Sequence, residues 1–177
     1  MSKVAITGNA SGTGTFTIAS PNSNTDRTLN LPDNSGTVIT TGSTFAGTGP
    51  AFSAYLSSNQ TVSAAVFTKV LLNTESFDTN SNFASSRFTP TVAGYYQINT
   101  VSRVPSATSS LVAVYKNGSI WARGNYPSGD SFNSVASTLV YCDGSTDYIE
   151  MYVYTSGTTI SGIASETMMS GFLARSA

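Results

Sequence analysis

The chain has 177 residues, of which 10% are charged and 40% hydrophobic, with a net charge of -1 and no histidine. So weak a charge gives no basic face for nucleic acid, and no apolar run approaches the roughly 20 residues that a membrane helix needs. Without histidine there is no Ser-His-Asp triad and the commonest zinc ligand is missing, so the chain is expected not to be an enzyme.

The opening, MSKVAITGNASG, has one lysine and no apolar core, so no signal peptide is expected. Residues 1–45 are poor in aromatics and rich in Gly, Thr, Ser and Asn. GTGTFTIASP (12–21) and RTLNLPDNSGTVITTGS (27–43) suggest three short strands, with Pro32 and Asn34-Ser35-Gly36 supplying a turn. Strands with so few large apolar residues cannot bury a core of their own. Such a segment becomes ordered by packing on another chain or on the neighbouring domain. A linker follows at 43–52, so the domains expected are 1–45 and 46–177.

Beyond the linker, aromatics recur and helical periodicity is nearly absent. Strands are predicted at 52–56, 61–64, 68–73, 87–88, 95–104, 110–116, 119–123, 134–141, 148–155 and 168–175. KNGS (116–119) is a hairpin with Asn-Gly at its turn, and CDGSTDY (142–148) is a second. These ten short strands predict an all-β fold, a ten-stranded antiparallel sandwich or jelly roll, with a short β-rich N-terminal extension. Ser and Thr fill roughly three positions in ten, so hydroxyls replace charge on the surface. Cys142 stands alone, which excludes an intrachain disulfide and marks it as a small buried hydrophobe. Synthesis in a reducing cytosol fits this usage.

Alternation assigns the faces. In YIEMYVYT, Ile149, Met151 and Val153 share the core face, and Tyr148, Glu150, Tyr152 and Tyr154 the other. In AGYYQINTVSRV, Tyr96 and Ile98 lie on one side, and Tyr95, Gln97, Asn99, Val101 and Arg103 on the other. A strand with a large aromatic on each face is unusual if one face meets only water.

Catalytic and metal chemistry are thin. Lys69 and Lys116 stand in strand and turn contexts that expose amines. Asp143, Asp147 and Glu150 cluster around one hairpin without a spaced calcium pattern, so a solvated turn is the better reading, and no metal or cofactor is expected. Trp121, Arg123, Asn125 and Tyr126 form the one cluster with the composition of a glycan surface, and Trp121, Arg123 and Tyr126 are the candidate ligand-binding residues. Ile120 and Ala122 stand opposite Trp121, which favours the core as the place of its ring.

Several features carry a resemblance. AFSAYLSS opens the domain. Phe77, Asn82-Phe83 and the Phe88-Thr89-Pro90 step lead to Ala93-Gly94-Tyr95-Tyr96. LVAVYKNGS, STLVYCDGSTDYIEMYVY and SGFLARSA follow in order. Residues 51–177 thereby resemble the globular head of complement component 1q, with the tumour-necrosis-factor-like jelly roll. Met169 departs from the pattern, standing where that family more often has Phe. The N-terminal thread Thr28-Leu29-Asn30-Leu31-Pro32-Asp33 with Gly36-Thr37-Val38 is similar to a recurrent segment of bacteriophage tail-fibre and other virion proteins.

The first resemblance implies a homotrimer around a threefold axis, built on the outer face of the sheet that holds the opening and closing strands. Tyr95 and Phe172 are out of phase with Tyr96, Ile98, Gly171 and Leu173, so they are the candidate interface aromatics. The alternative places Tyr95 under a loop and Phe172 in the core. Together the two resemblances imply a structural virion fibre protein, made in the host cytoplasm. Its N-terminal segment would join other fibre, tail or neck proteins, and its trimeric knob would bind a host-surface glycan or cap the fibre. A secreted lectin-like module of the same fold is the alternative.

Overall fold

The computed structural model describes residues 49–128 and 133–177, with Gly8, 11–15, 17, 19, 22–26 and 28 of the leading segment. The chain divides into two compact units, Met1–Val38 and Ile39–Ala177. In the first unit the described residues are bends and loop, with the Thr25 amide donating to Ser23 Oγ at 3.2 Å. None of those described within 12–21 lies in a strand, nor does Thr28, and the rest of the expected N-terminal strands falls outside the described residues.

The second unit is a two-layer antiparallel sandwich, with no helix among the described residues. One sheet is built from β1 (Ala51–Tyr55), β4 (Thr74–Asp78), β7 (Gly94–Arg103), β10 (Asn133–Cys142) and β13 (Met168–Ser176). Its order is β10-β7-β13-β1-β4, so the first and last strands lie side by side at its centre. The other sheet is built from β3 (Thr68–Lys69), β5 (Phe83–Ala84), β6 (Arg87–Phe88), β8 (Ser110–Lys116), β9 (Ser119–Arg123) and β11 (Ile149–Thr155). It runs β5-β6-β11-β8-β9, with β3 also on β11. β2 (Gln60–Thr61) pairs with β12 (Thr159–Ile160). This jumping strand order is a jelly roll, in agreement with the predicted all-β class.

Alternation builds the core as expected. In β7 Tyr96 and Ile98 are fully buried, and in β13 Met169 and Leu173 face the same interior. Phe52 stacks on Phe83 at 5.2 Å and Phe88 at 4.2 Å, and Phe88 meets the edge of Tyr96 at 5.4 Å. The Tyr96 hydroxyl escapes the apolar interior by donating to Val92 O at 2.7 Å, and burial pushes its pKa up to about 12. Gly171 is required by close packing: a Cβ there would sit 2.6 Å from Ile98 Cδ1 and 2.9 Å from the Phe52 ring. The Asn-Gly hairpin is present, with Asn117 at φ 52° and Gly118 at φ 76°, as a two-residue primed turn demands.

Three strands escaped the sequence reading: β4, β5 and β12. The strands expected at 61–64 and 68–73 shrink to Gln60–Thr61 and Thr68–Lys69. The reason is local. Val62 and Val70 turn into the core, and the chain between them carries Ala65 at a positive φ of 60°, which breaks extended pairing.

Glu150 is a further correction. It is no part of an acidic turn with Asp143 and Asp147. It is buried on the outer face of β11, where Oε1 accepts Lys69 Nζ at 2.8 Å and Arg87 Nη2 at 2.9 Å. Burial pushes the Glu150 pKa up, but the two cations win and hold it below its ordinary value. Lys116 likewise pairs with Asp147 at 2.8 Å, so neither candidate lysine presents a free amine. Asp143 instead caps its turn, Oδ1 accepting the amides of Ser145, Thr146 and Asp147.

Candidate functional site

The outer face of the five-stranded sheet is ruled by register. Residues paired across antiparallel strands point to the same side, so this face can be read in rows. One row runs Leu139, Gln97, Phe172, Ala51. The next runs Ser137, Asn99, Ser170, Ser53, Phe77. A third runs Val135, Val101, Met168, Tyr55, and Tyr141 pairs with Tyr95 at the other end. Tyr95 is 43% exposed and Phe172 49%. The readings that hid Tyr95 under a loop or Phe172 in the core are therefore set aside. Phe77, Val135, Leu139 and Tyr141 are exposed with them, an apolar surface that crosses the whole sheet. Its polar centre is ordered: Gln97 Nε2 donates to Ser137 Oγ at 2.9 Å, and Ser137 Oγ donates to Asn99 Oδ1 at 2.8 Å. The Tyr95 and Tyr141 rings lie 5.4 Å apart.

Trp121 is not core. The residue is 48% exposed, and Ile120 is exposed beside it. A register shift between Val114 and Tyr115 in the β8–β9 pair breaks the alternation on which the core reading rested. The indole Nε1 donates to Leu139 O at 3.2 Å, and Lys116 Nζ lies 5.8 Å from the centroids of both Trp121 and Tyr141. Trp121 thus belongs to the sandwich edge beside β10, next to the apolar face.

Arg123 and Tyr126 do come together, without Trp121. They line a pocket of about 490 Å³ with Phe67, Leu111, Gly124 and Tyr154 on the outer side of the six-stranded sheet. Phe67 lies 5.2 Å from Tyr154 and 6.0 Å from Tyr115, and Tyr115 stacks on Tyr152 at 3.9 Å. Tyr154 was legible from its place on the non-core face of β11. Phe67 had no signal, since it sits in a turn-rich stretch outside any alternating run. Asn125, the remaining member of the sequence cluster, is structural: its Oδ1 accepts the Val135 amide at 2.6 Å.

No protein-family model and no curated protein sequence matches the chain. Solved structures do. The globular domain of zebrafish complement 1qA protein aligns at 17% identity with a TM-score of 0.54, covering 73% of this chain and 99% of that one. Murine APRIL at pH 5.0 aligns at 10% identity and 0.57, covering 71% and 98%. Eiger TNF from S. frugiperda aligns at 9% and 0.57, covering 73% and 93%.

The fold is a complement 1q/tumour-necrosis-factor-like jelly roll.

Within that fold the two surfaces lie on different sheets: the apolar face on the sheet of the opening and closing strands, the aromatic pocket on the other.

Proposed function

We propose that the chain is a homotrimeric binding module, the knob of a bacteriophage fibre, which attaches to a host-surface glycan. The apolar outer face of the five-stranded sheet carries this reading. Monomeric proteins rarely leave a patch of this kind in water, and exposed aromatics such as Tyr95, Tyr141 and Phe172 are the side chains that anchor interfaces. A closed cyclic trimer covers the patch on every copy at once. Trp121 and Leu139, at the neighbouring edge, extend the contact from one copy to the next.

The likeness of the N-terminal thread to virion fibre segments supports placing the knob on a particle, with residues 1–45 joining other fibre, tail or neck proteins. The work done is adhesion rather than catalysis: the chain has no histidine, and Lys69 and Lys116 are held in ion pairs. Adhesion by three weak sites on one axis gains about 10²–10⁴ in avidity from effective concentration. Adsorption of fluorescent protein to host cells, compared with a Tyr95→Ser/Phe172→Ser double variant, tests this. The double variant should be monomeric and should lose cell adsorption by a factor in that range. A monomeric variant that adsorbs as well as the parent would overturn the multivalent mechanism.

A further inference from the structure

The pocket on the six-stranded sheet has the chemistry of a specific sugar site. We propose that it binds a carboxylate-bearing pyranose of an acidic surface polysaccharide, with Phe67, Tyr126 and Tyr154 as walls and Arg123 as the partner of the carboxylate. This rests on the host-surface reading above and names its ligand class.

The walls come first. Phe67 and Tyr154 meet at 47° with centroids 5.2 Å apart, and buried Leu111 stands across from Tyr154 on β8. Two tilted aromatic faces offer negative π surface to the C–H groups on the flat side of a pyranose. Tyr126, which also lines the pocket, is 54% exposed, and its hydroxyl donates to Ser109 Oγ at 3.0 Å, which restrains the ring. The backbone beneath is pinned: the Gly124 amide donates to Val112 O at 2.8 Å and the Asn125 amide to Val135 O at 3.1 Å. A side chain at 124 would lie 2.1 Å from Val135 O, so this part of the wall is glycine by necessity. A volume of about 490 Å³ is of ordinary ligand size.

The charge decides the class. Lys69, Arg87, Arg103 and Lys116 each pair with a carboxylate. Arg123 has no such partner among the described residues; its guanidinium stands 5.7 Å over the Phe67 ring, exposed at the pocket. A planar guanidinium takes one carboxylate through two parallel hydrogen bonds. A phosphate-rich ligand calls for several converging cations, and the pocket lining supplies one. The site lies on the sheet opposite the self-association face, so a trimer leaves all three copies open to one polymer.

The test is isothermal titration of the full chain with 3′-sialyllactose and trigalacturonic acid, against lactose and neutral galactotriose as matched controls. The protein should prefer an acidic probe to its neutral match by about tenfold, as a charge-assisted contact at an open site allows. Arg123→Gln should abolish that preference while leaving trimer mass and circular dichroism unchanged, and Tyr154→Ser should weaken both members of a pair. Equal binding of acidic and neutral probes, or an acidic preference that survives Arg123→Gln, overturns the site and leaves the host-surface reading standing. If none of the four binds at millimolar concentration the acidic-sugar pocket is overturned. A broad glycan array then separates the two claims: binding of another sugar preserves the host-surface reading, and no binding removes both.

Discussion

Replacing Glu150 by Gln removes one negative charge and leaves shape nearly unchanged. The carboxylate is 4% exposed and accepts Lys69 Nζ at 2.8 Å, Arg87 Nε at 3.0 Å and Arg87 Nη2 at 2.9 Å. Breaking a fully buried pair costs about 3–5 kcal/mol, because the abandoned charge stays buried. Here the cations have an escape, since the Lys69 and Arg87 side chains are 24% and 42% exposed. Rehydration recovers about half, leaving a loss of about 2 kcal/mol at pH 7. For a domain of this size that is a fall of about 8 °C in Tm. The pH dependence follows from the depressed Glu150 pKa. Its contribution is fully present above the unfolded value of about 4.3 and is lost as pH falls through the lower folded value. Glu150→Gln has no such contribution to lose, so the two melting curves should converge as pH drops below about 4. Differential scanning calorimetry from pH 7 to pH 2 reads this directly. A gap as wide at pH 2 as at pH 7 would refute an ionic origin and assign the loss to packing. The consequence reaches the pocket, because Lys69 lies two residues from the Phe67 wall.

Gly171→Ala should destabilise the jelly roll by about 1–3 kcal/mol in urea denaturation, since its Cβ would press on Ile98, Phe52 and the Gln97 carbonyl oxygen; an unchanged midpoint would contradict the close packing of β13. Cys142 should resist thiol reagents in the native state at pH 8, because it is fully buried and burial pushes its thiol up to about 12. It should react stoichiometrically in denaturant, and rapid labelling of the folded protein would refute its place in the core. Asn117→Ala should cost about 1–2 kcal/mol by unpairing two turns, since Asn117 Nδ2 donates to Asp147 Oδ1 at 2.6 Å and its Oδ1 accepts the Tyr148 amide at 2.9 Å; a melting point equal to the parent's would refute that staple.

β7 and most of β13 were legible because buried positions alternate there with exposed or half-buried ones. β7 and β13 could be phased from Tyr95, Tyr96, Phe172 and Leu173 alone, and the structure places all four on the expected sides. The peripheral strands were not legible. β4 has no buried residue, so it shows no alternation. The β5–β6 hairpin turns on Ser85 and Ser86, both at positive φ, where the usual signature is Asn-Gly. Trp121 was misplaced because a bulge resets the phase of β9, and bulges leave no mark in a hydropathy pattern. The pocket was half legible: Arg123 and Tyr126 are neighbours in sequence, whereas Phe67 reaches them through the β3–β11 pairing and tertiary contacts with Tyr154, Tyr115 and Arg123. Glu150 was read as solvated because alternation gives the face of a residue and not what another segment lays over it.

Self-association through the five-stranded sheet is the claim on which multivalent adhesion depends. Light scattering coupled to size-exclusion chromatography at micromolar concentration tests it most directly. The parent should show three times the 18.4 kDa chain mass, and Tyr95→Ser/Phe172→Ser a single chain mass. A monomeric parent, or a double variant that remains trimeric, would contradict it.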